Sequence, residues 1–318
     1  FGDFFATVSN LTSTQFTAFL LMGVPGLEDF QIWLSIPFSF MYLLAVIGNS
    51  LLMAVVAWDR NLHEPMYLFL AMLALNDVLL CTVTVPKMLL IFWQGPTLSS
   101  FPAYLTQMFF VHALFLSESA ILLAMAFDRY VAICTPLHYV TLLTGSLIGK
   151  LGLALVARSV IVVTPGVLLI LRLHFCRSNI IRHTYCENMG IAKLACNSIT
   201  LNSIYGLTAA LLTTGLDFVL ICLSYWLILK TVFELPSRKA QIKAFGTCGA
   251  HLCVILIFYI LAFFSFFIHR FGHQVPGHAL ILLANLYLLL PTTMSPLVYG
   301  VKTKEIRMRV IGLCGQAK

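Results

Sequence analysis

QIWLSIPFSFMYLLAVIGNSLLMAVVA, residues 31–57, carries no acidic, basic or histidine side chain. A helix that crosses a bilayer needs about 20 predominantly apolar residues, and it satisfies its own backbone hydrogen bonds where no water can. Working outward, further runs of this kind occur at about 64–90, 101–133, 147–171, 200–232, 237–267 and 277–300. The 318 residues are 60% hydrophobic and only 10% charged, with a mean hydropathy of +0.96. Soluble domains carry about 25% charged residues, so water is excluded as the solvent for most of this chain. Its 25 Phe, 11 Tyr and 4 Trp exclude disorder. The predicted class is an all-α membrane protein: a seven-transmembrane helix bundle over 31–300, an extracellular segment 1–30, and a cytoplasmic tail 301–318 with a short amphipathic helix eight. No length remains for a soluble catalytic domain.

The net charge of +7 would suggest nucleic acid in a soluble protein, but its placement says otherwise. No Lys or Arg precedes Gln31, whereas Lys302, Lys304, Arg307, Arg309 and Lys318 crowd the end. The positive-inside rule puts the N-terminus outside and the C-terminus inside, which requires an odd number of spans. The outer loop at about 172–200 runs against the rule with Arg177, Arg182 and Lys193, as longer outer loops often do. The tail from Lys302 to Cys314 alternates basic with apolar residues and suits a helix lying on membrane lipid. Cys314 is there either a palmitoylation site or a plain thiol. Asn10-Leu11-Thr12 is a glycosylation sequon on the outer side. No basic region with a small-residue cleavage site precedes the first span, which is expected to act as its own insertion signal.

An ionisable group inside a span costs about 2.5–3.5 kcal/mol on insertion scales and needs a partner or a purpose. Four acids qualify: Asp77, Glu118, Asp128 and Asp217. Counted at about 1.5 Å per residue, Asp77 and Glu118 share one depth, and Asn49 and Ser295 reach the same slab. Such a group holds a cation such as Na⁺, shares a proton between close carboxylates, or only makes structural hydrogen bonds. Asp128-Arg129-Tyr130 closes span three at the inner face, where composition alone favours a snorkelling helix end.

Toward the outer face, Phe109, Phe263, Phe266, Gly206, Ala209 and Ala210 would wall a cavity for alkyl chains, with His112 nearby. Arg270, ending span six, either grips a carboxylate in a bidentate fork or snorkels, and His112 either lines the cavity or bonds between helices. Cys176, Cys186 and Cys196 lie in the outer loop, an oxidising setting that leaves one of three unpaired. Cys248, His251 and Cys253 supply too few ligands, at the wrong spacing, for a zinc site, and no metal is expected. Rival classes lack their signatures. There is no internal repeat for a transporter, and His63-Glu64-Pro65 does not continue into a metalloprotease motif.

Gly48-Asn49, PMYLFLAMLALND at 65–77, MAFDRYVAIC at 125–134 with Pro136-Leu137-His138-Tyr139, Ser224-Tyr225, KAFGTCGAHL at 243–252 and KTKEIR at 302–307 together resemble the odorant receptors, a branch of the rhodopsin-like G-protein-coupled receptors. GVPGLE at 23–28, HRFGH at 269–273 and the cysteine-bearing loop resemble class I, most closely its family-fifty-two subgroup. The resemblance implies a small odorant ligand, for class I a carboxylic acid, and coupling to the olfactory stimulatory G protein and adenylyl cyclase. It places Asp128, Arg129 and Tyr130 in the activation motif, with Tyr225, Lys243, His251, Tyr259 and Tyr299 beside it. It makes Arg270 the acid anchor, with His112 and Met189 as further ligand positions.

Departures from the family pattern carry their own expectations. Tyr104 stands where the family has the helix-three cysteine that bonds to the outer loop, which strands Cys186 and leaves Cys176–Cys196 as the expected bridge. That bridge would close a loop of about 20 residues, worth about 3 kcal/mol by chain entropy. Leu261 replaces a helix-six proline, and Thr292 and Ser295 replace a proline and an asparagine of helix seven.

Overall fold

A computed structural model of the chain describes residues 16–176, 178–234, 237–271 and 275–316. Seven long apolar helices cross the molecule: α1 (Gln31–Trp58), α2 (Pro65–Gln94), α3 (Phe101–Cys134), α4 (Gly145–Leu171), α5 (Thr200–Phe233), α6 (Arg238–Phe271) and α7 (Gly277–Lys302). A further helix, α8 (Lys304–Gln316), follows a break at Thr303. Pro65 opens α2 at its first turn, where the missing N–H has no intrahelical partner to lose. Ser100 starts α3 by accepting from the Ala103 amide, and Thr144 does the same for α4 at Leu147.

Packing follows the polarity of each helix. In the most apolar 18-residue stretch of α2, α3 and α7 more than half of the residues are buried, against under a quarter in α4 and α5. The outward faces are themselves apolar: Ile32, Trp33, Ile36, Phe40 and Ile47 project from α1, and Leu212, Leu216, Val219, Leu223 and Trp226 from α5. In water these stripes would drive aggregation; against lipid tails they are satisfied. The interior holds Phe69, Leu70, Leu73, Leu122, Phe258 and Tyr259 in one cluster toward the inner half. Gly48 of α1 lets the neighbouring helix come close, since a Cβ there would sit 2.9 Å from the Pro296 ring.

The outer end is closed by a small sheet. Strand β1 (Ala18–Leu21) pairs antiparallel with β2 (Thr97–Ser100) and parallel with β3 (Ile180–Ile181). Phe19 and Leu21 point down into the bundle and are fully buried, with the Phe19 ring 5.3 Å from Phe175 and 6.2 Å from Tyr104. The chain then turns at Gly23, whose φ of +79° favours glycine. Asn10 lies outside the described residues, as do the side chains of Lys243, Phe266, Arg270 and Cys314.

Candidate ligand site and activation network

The loop between α4 and α5 contributes β3 to the outer sheet and sends its following residues down into the bundle. Cys176 and Cys196 are joined, with Cα atoms 6.0 Å apart. Between them His183, Thr184, Tyr185 and Cys186 are buried. Thr184 Oγ1 donates to Asn285 Oδ1 at 2.8 Å, and the Tyr185 hydroxyl meets that of Tyr287 at 3.4 Å, so this segment is anchored to α7. On the other side the Tyr104 hydroxyl donates to the Glu187 carbonyl at 2.8 Å. Tyr104 thus replaces the covalent tether of the resemblance with a hydrogen bond. Cys186 stays a free thiol, pushed up to about 12 by burial against the opposing pull of Lys87, whose ammonium lies 3.8 Å away. At neutral pH it is protonated and a poor nucleophile.

Tyr104→Cys tests this replacement. A link to Cys186 would close a loop of about 80 residues, worth roughly 4–5 kcal/mol by chain entropy, against about 3–5 kcal/mol for losing a buried aromatic side chain. Stability should stay near the wild-type value, while thiol labelling of the denatured, unreduced protein finds Cys186 newly protected. Equal labelling of Cys186 in both proteins would show that the thiols do not meet.

Beneath this loop lies a cavity of about 290 Å³ between α3, α4, α5 and Tyr287 of α7. Met108, Val111, His112, Phe115 and Leu116 line it from α3 at the spacing of one helix face. Val162, Val163, Gly166 and Val167 do so from α4. Gly206, Ala209, Ala210 and Thr214 come from α5, and Glu187, Asn188 and Met189 from the loop. His112 Nδ1 lies 2.8 Å from the Met108 carbonyl. A carbonyl only accepts, so Nδ1 carries the proton, and Nε2 is an acceptor when the imidazole is neutral.

Two aromatic residues expected in the wall are elsewhere. Phe109 falls just past the edge of the lining face of α3, next to Leu116 in angle, and packs edge-on to Phe110 at 5.5 Å. Phe263 of α6 lies against Phe218 and Tyr259, at 5.1 and 5.8 Å. Sequence reasoning missed Glu187, Asn188, Asn202, Tyr205 and Tyr287. Only the folded loop and the α4–α5 contact, fixed by Tyr205 donating to the Val162 carbonyl at 2.6 Å, bring them to one space.

Thr214 belongs to a widened turn, Leu211–Gly215, that interrupts α5; such turns recur at functional sites. Just beyond it, Asp217 accepts from Arg158 of α4 at 3.0 Å and from Ser119 of α3 at 2.9 Å. Ser119, having spent its proton on the carboxylate, accepts from the Tyr259 hydroxyl of α6 at 2.9 Å. One hydrogen-bonded chain therefore ties four helices directly below the cavity. Asp217 was legible as an intramembrane acid. Arg158 gave the same kind of signal, a charge inside the fourth apolar run, and was missed.

At the inner end, Arg129 pairs with Asp128, its Nε 2.8 Å from Oδ2, and Tyr139 donates to the other carboxylate oxygen at 3.0 Å. A hollow of about 390 Å³ opens beside them, lined by Arg129, His251, Tyr299 and Gly246 among others. Tyr225 and His251 are bonded at 2.7 Å, joining α5 to α6. His251 Nε2 and the Tyr299 hydroxyl have no partner among the described residues. Tyr130 packs at the rim beside Phe127, and Arg309 of α8 pairs with Asp59 at 2.6 Å. At mid-depth Asn49 donates to the Ala45 and Thr292 carbonyls. Both Asp77 oxygens, Asn49 Oδ1 and Ser295 Oγ lack partners among the described residues, and Glu118 is buried within electrostatic range.

A family model described as olfactory receptor matches residues 38–316. The chain belongs to the olfactory receptor family. Human olfactory receptor 52B2 is 53% identical over 299 residues, 94% of this chain and 93% of that receptor. Human olfactory receptor 52D1 is 54% identical over 307 residues, 96% of each. With its seven apolar helices, this olfactory receptor is a multi-pass protein of the plasma membrane that takes odorant ligands and couples to a G protein, and it is not an enzyme.

Proposed function

We propose that this olfactory receptor responds to small carboxylic acids and raises cyclic AMP through a stimulatory, olfactory-type G protein. The observation that carries the ligand role is the 290 Å³ cavity, which fits a short alkyl chain and stands directly over the chain of hydrogen bonds ending on Tyr259 of α6. The acid preference is supported by the class I resemblance and by Arg270 in the last turn of α6. An acid drawn to Arg270 pulls the outer end of α6 inward, and the inner end near Lys243 swings out to admit the G protein. Shifting a two-state equilibrium from 1:99 to 99:1 needs about 5.5 kcal/mol of differential affinity, so the acid must grip the active state far better than the resting one. The partnerless oxygens of Asp77, Asn49 and Ser295 are hard donors that suit Na⁺ or a shared proton with Glu118, which would hold the resting state.

The test is a cyclic-AMP dose response to linear acids of graded length, with the matching alcohols as controls. Arg270→Ala should weaken acids at least 100-fold, as expected for losing a bidentate charged contact worth about 3 kcal/mol. Alcohol responses and surface expression should stay within threefold of wild type. An unchanged acid response, or alcohols as potent as acids in the wild type, would overturn the acid reading.

A further inference from the structure

Glu187 is the one described residue shared by two hollows. It stands in the wall of the inner cavity and also in that of an outer vestibule of about 770 Å³, where Arg182, Lys193 and His278 line the far side. Among the described residues of the inner wall it is the only Asp, Glu, Lys or Arg. Its backbone is fixed, because the Tyr104 hydroxyl holds its carbonyl and its chain continues into the short helix Asn188–Ala192. Its carboxylate is not saturated. Its Oε2 lies on the vestibule side, 3.9 Å from His183 Nε2 and beyond hydrogen-bond reach, and no hydrogen-bond donor reaches the carboxylate among the described residues. The side chain is only a quarter exposed, so water screens it poorly.

The other polar groups point the same way. His112 offers an acceptor at Nε2 when neutral, and Asn188, Asn202 and Tyr205 are uncharged. A carboxylate at the junction of the two hollows favours ligand groups that donate and disfavours anions. We propose that Glu187 is the specificity residue of the inner cavity: its carboxylate accepts from a hydroxyl or other donor group and turns a carboxylate head away. This deepens, and rests on, the ligand role of the cavity. An acid then lies with its head toward α6 and its alkyl tail between α3, α4 and α5. The small wall residues Gly206, Ala209 and Ala210 leave room for that tail.

The experiment uses the full-length receptor in cells, with surface expression and cyclic AMP both measured, and C4–C9 linear acids and alcohols as probes. Glu187→Gln keeps the shape and the backbone bond to Tyr104 while removing the charge. It should lower the half-maximal concentration for acids at least tenfold and leave alcohols within threefold. Asn188→Asp adds a second carboxylate to the same wall and should raise the acid value at least tenfold. Acids and alcohols shifting together, or neither shifting, would overturn the role of Glu187 while leaving the acid reading intact. If the wild type answers alcohols but no acid, the acid reading fails; Glu187→Gln gaining an acid response would then still support the inference, and continued silence would end both.

Discussion

Asp217→Ala should sharply reduce the amount of folded receptor. The substitution removes the acceptor for two donors at once, Arg158 at 3.0 Å and Ser119 at 2.9 Å. Arg158 sits in an apolar helix with about a third of its side chain exposed to the surroundings of the bundle. Unpaired there, it carries about 2.5–3.5 kcal/mol of insertion penalty, and Ser119 and Tyr259 lose the anchor of their chain. A loss of that size lowers the ratio of folded to unfolded receptor roughly 70- to 400-fold. The partner substitution separates pair from packing. Arg158→Met with Asp217→Leu removes both charges and should recover most of the folded protein, because replacing a buried ion pair by apolar groups is often neutral whereas breaking it is not. Thermal stability in detergent and surface labelling are the measurements, and a double variant as poor as the single one would refute the argument. Signalling should remain impaired in the double variant, since Tyr259 no longer has a bonded route to α5.

Arg129→Ala should abolish ligand-stimulated nucleotide exchange on the G protein while leaving surface expression close to wild type. Arg129 is the only arginine described in the wall of the inner hollow, and it points there beside Tyr299 and His251. In the present structure it is held by Asp128, which is in turn held by Tyr139. Where the G protein enters the hollow, losing its charged contact with Arg129 should cost about 2–5 kcal/mol of interface energy, or roughly 30- to 5000-fold in coupling, while Tyr139 still donates to Asp128 within the receptor. Asp128→Asn should act in the opposite direction, releasing Arg129 and raising basal exchange. Purified receptor and G protein in nucleotide-exchange assays would check both. Full coupling by Arg129→Ala would show that the hollow engages its partner through other groups.

The architecture was legible because membrane burial is written in runs of apolar residues, and an uncharged stretch such as 31–57 has few other outcomes. The intramembrane acids were legible for the same reason, since each stands out against lipid. The cavity was less so. His112, Gly206 and Ala210 lie in its wall, but Phe109 and Phe263 do not. Helix rotation decides which of several neighbouring phenylalanines faces inward, and composition cannot fix that rotation. A charge in an apolar run marks Arg158 as it marks the acids, and its pairing with Asp217, together with Ser119, makes both charges tolerable.

By itself, then, the sequence determined the solvent, the number of crossings and the charged positions that need partners. These follow from the transfer cost of single residues and are local. Only the tertiary structure decided what those residues meet: Tyr104 on the Glu187 carbonyl, Asp217 on Arg158 and Ser119, and Glu187 between two hollows. Those partners are separated by tens of residues along the chain, and hydrogen bonds reach about 3 Å, so helix packing alone could choose among them.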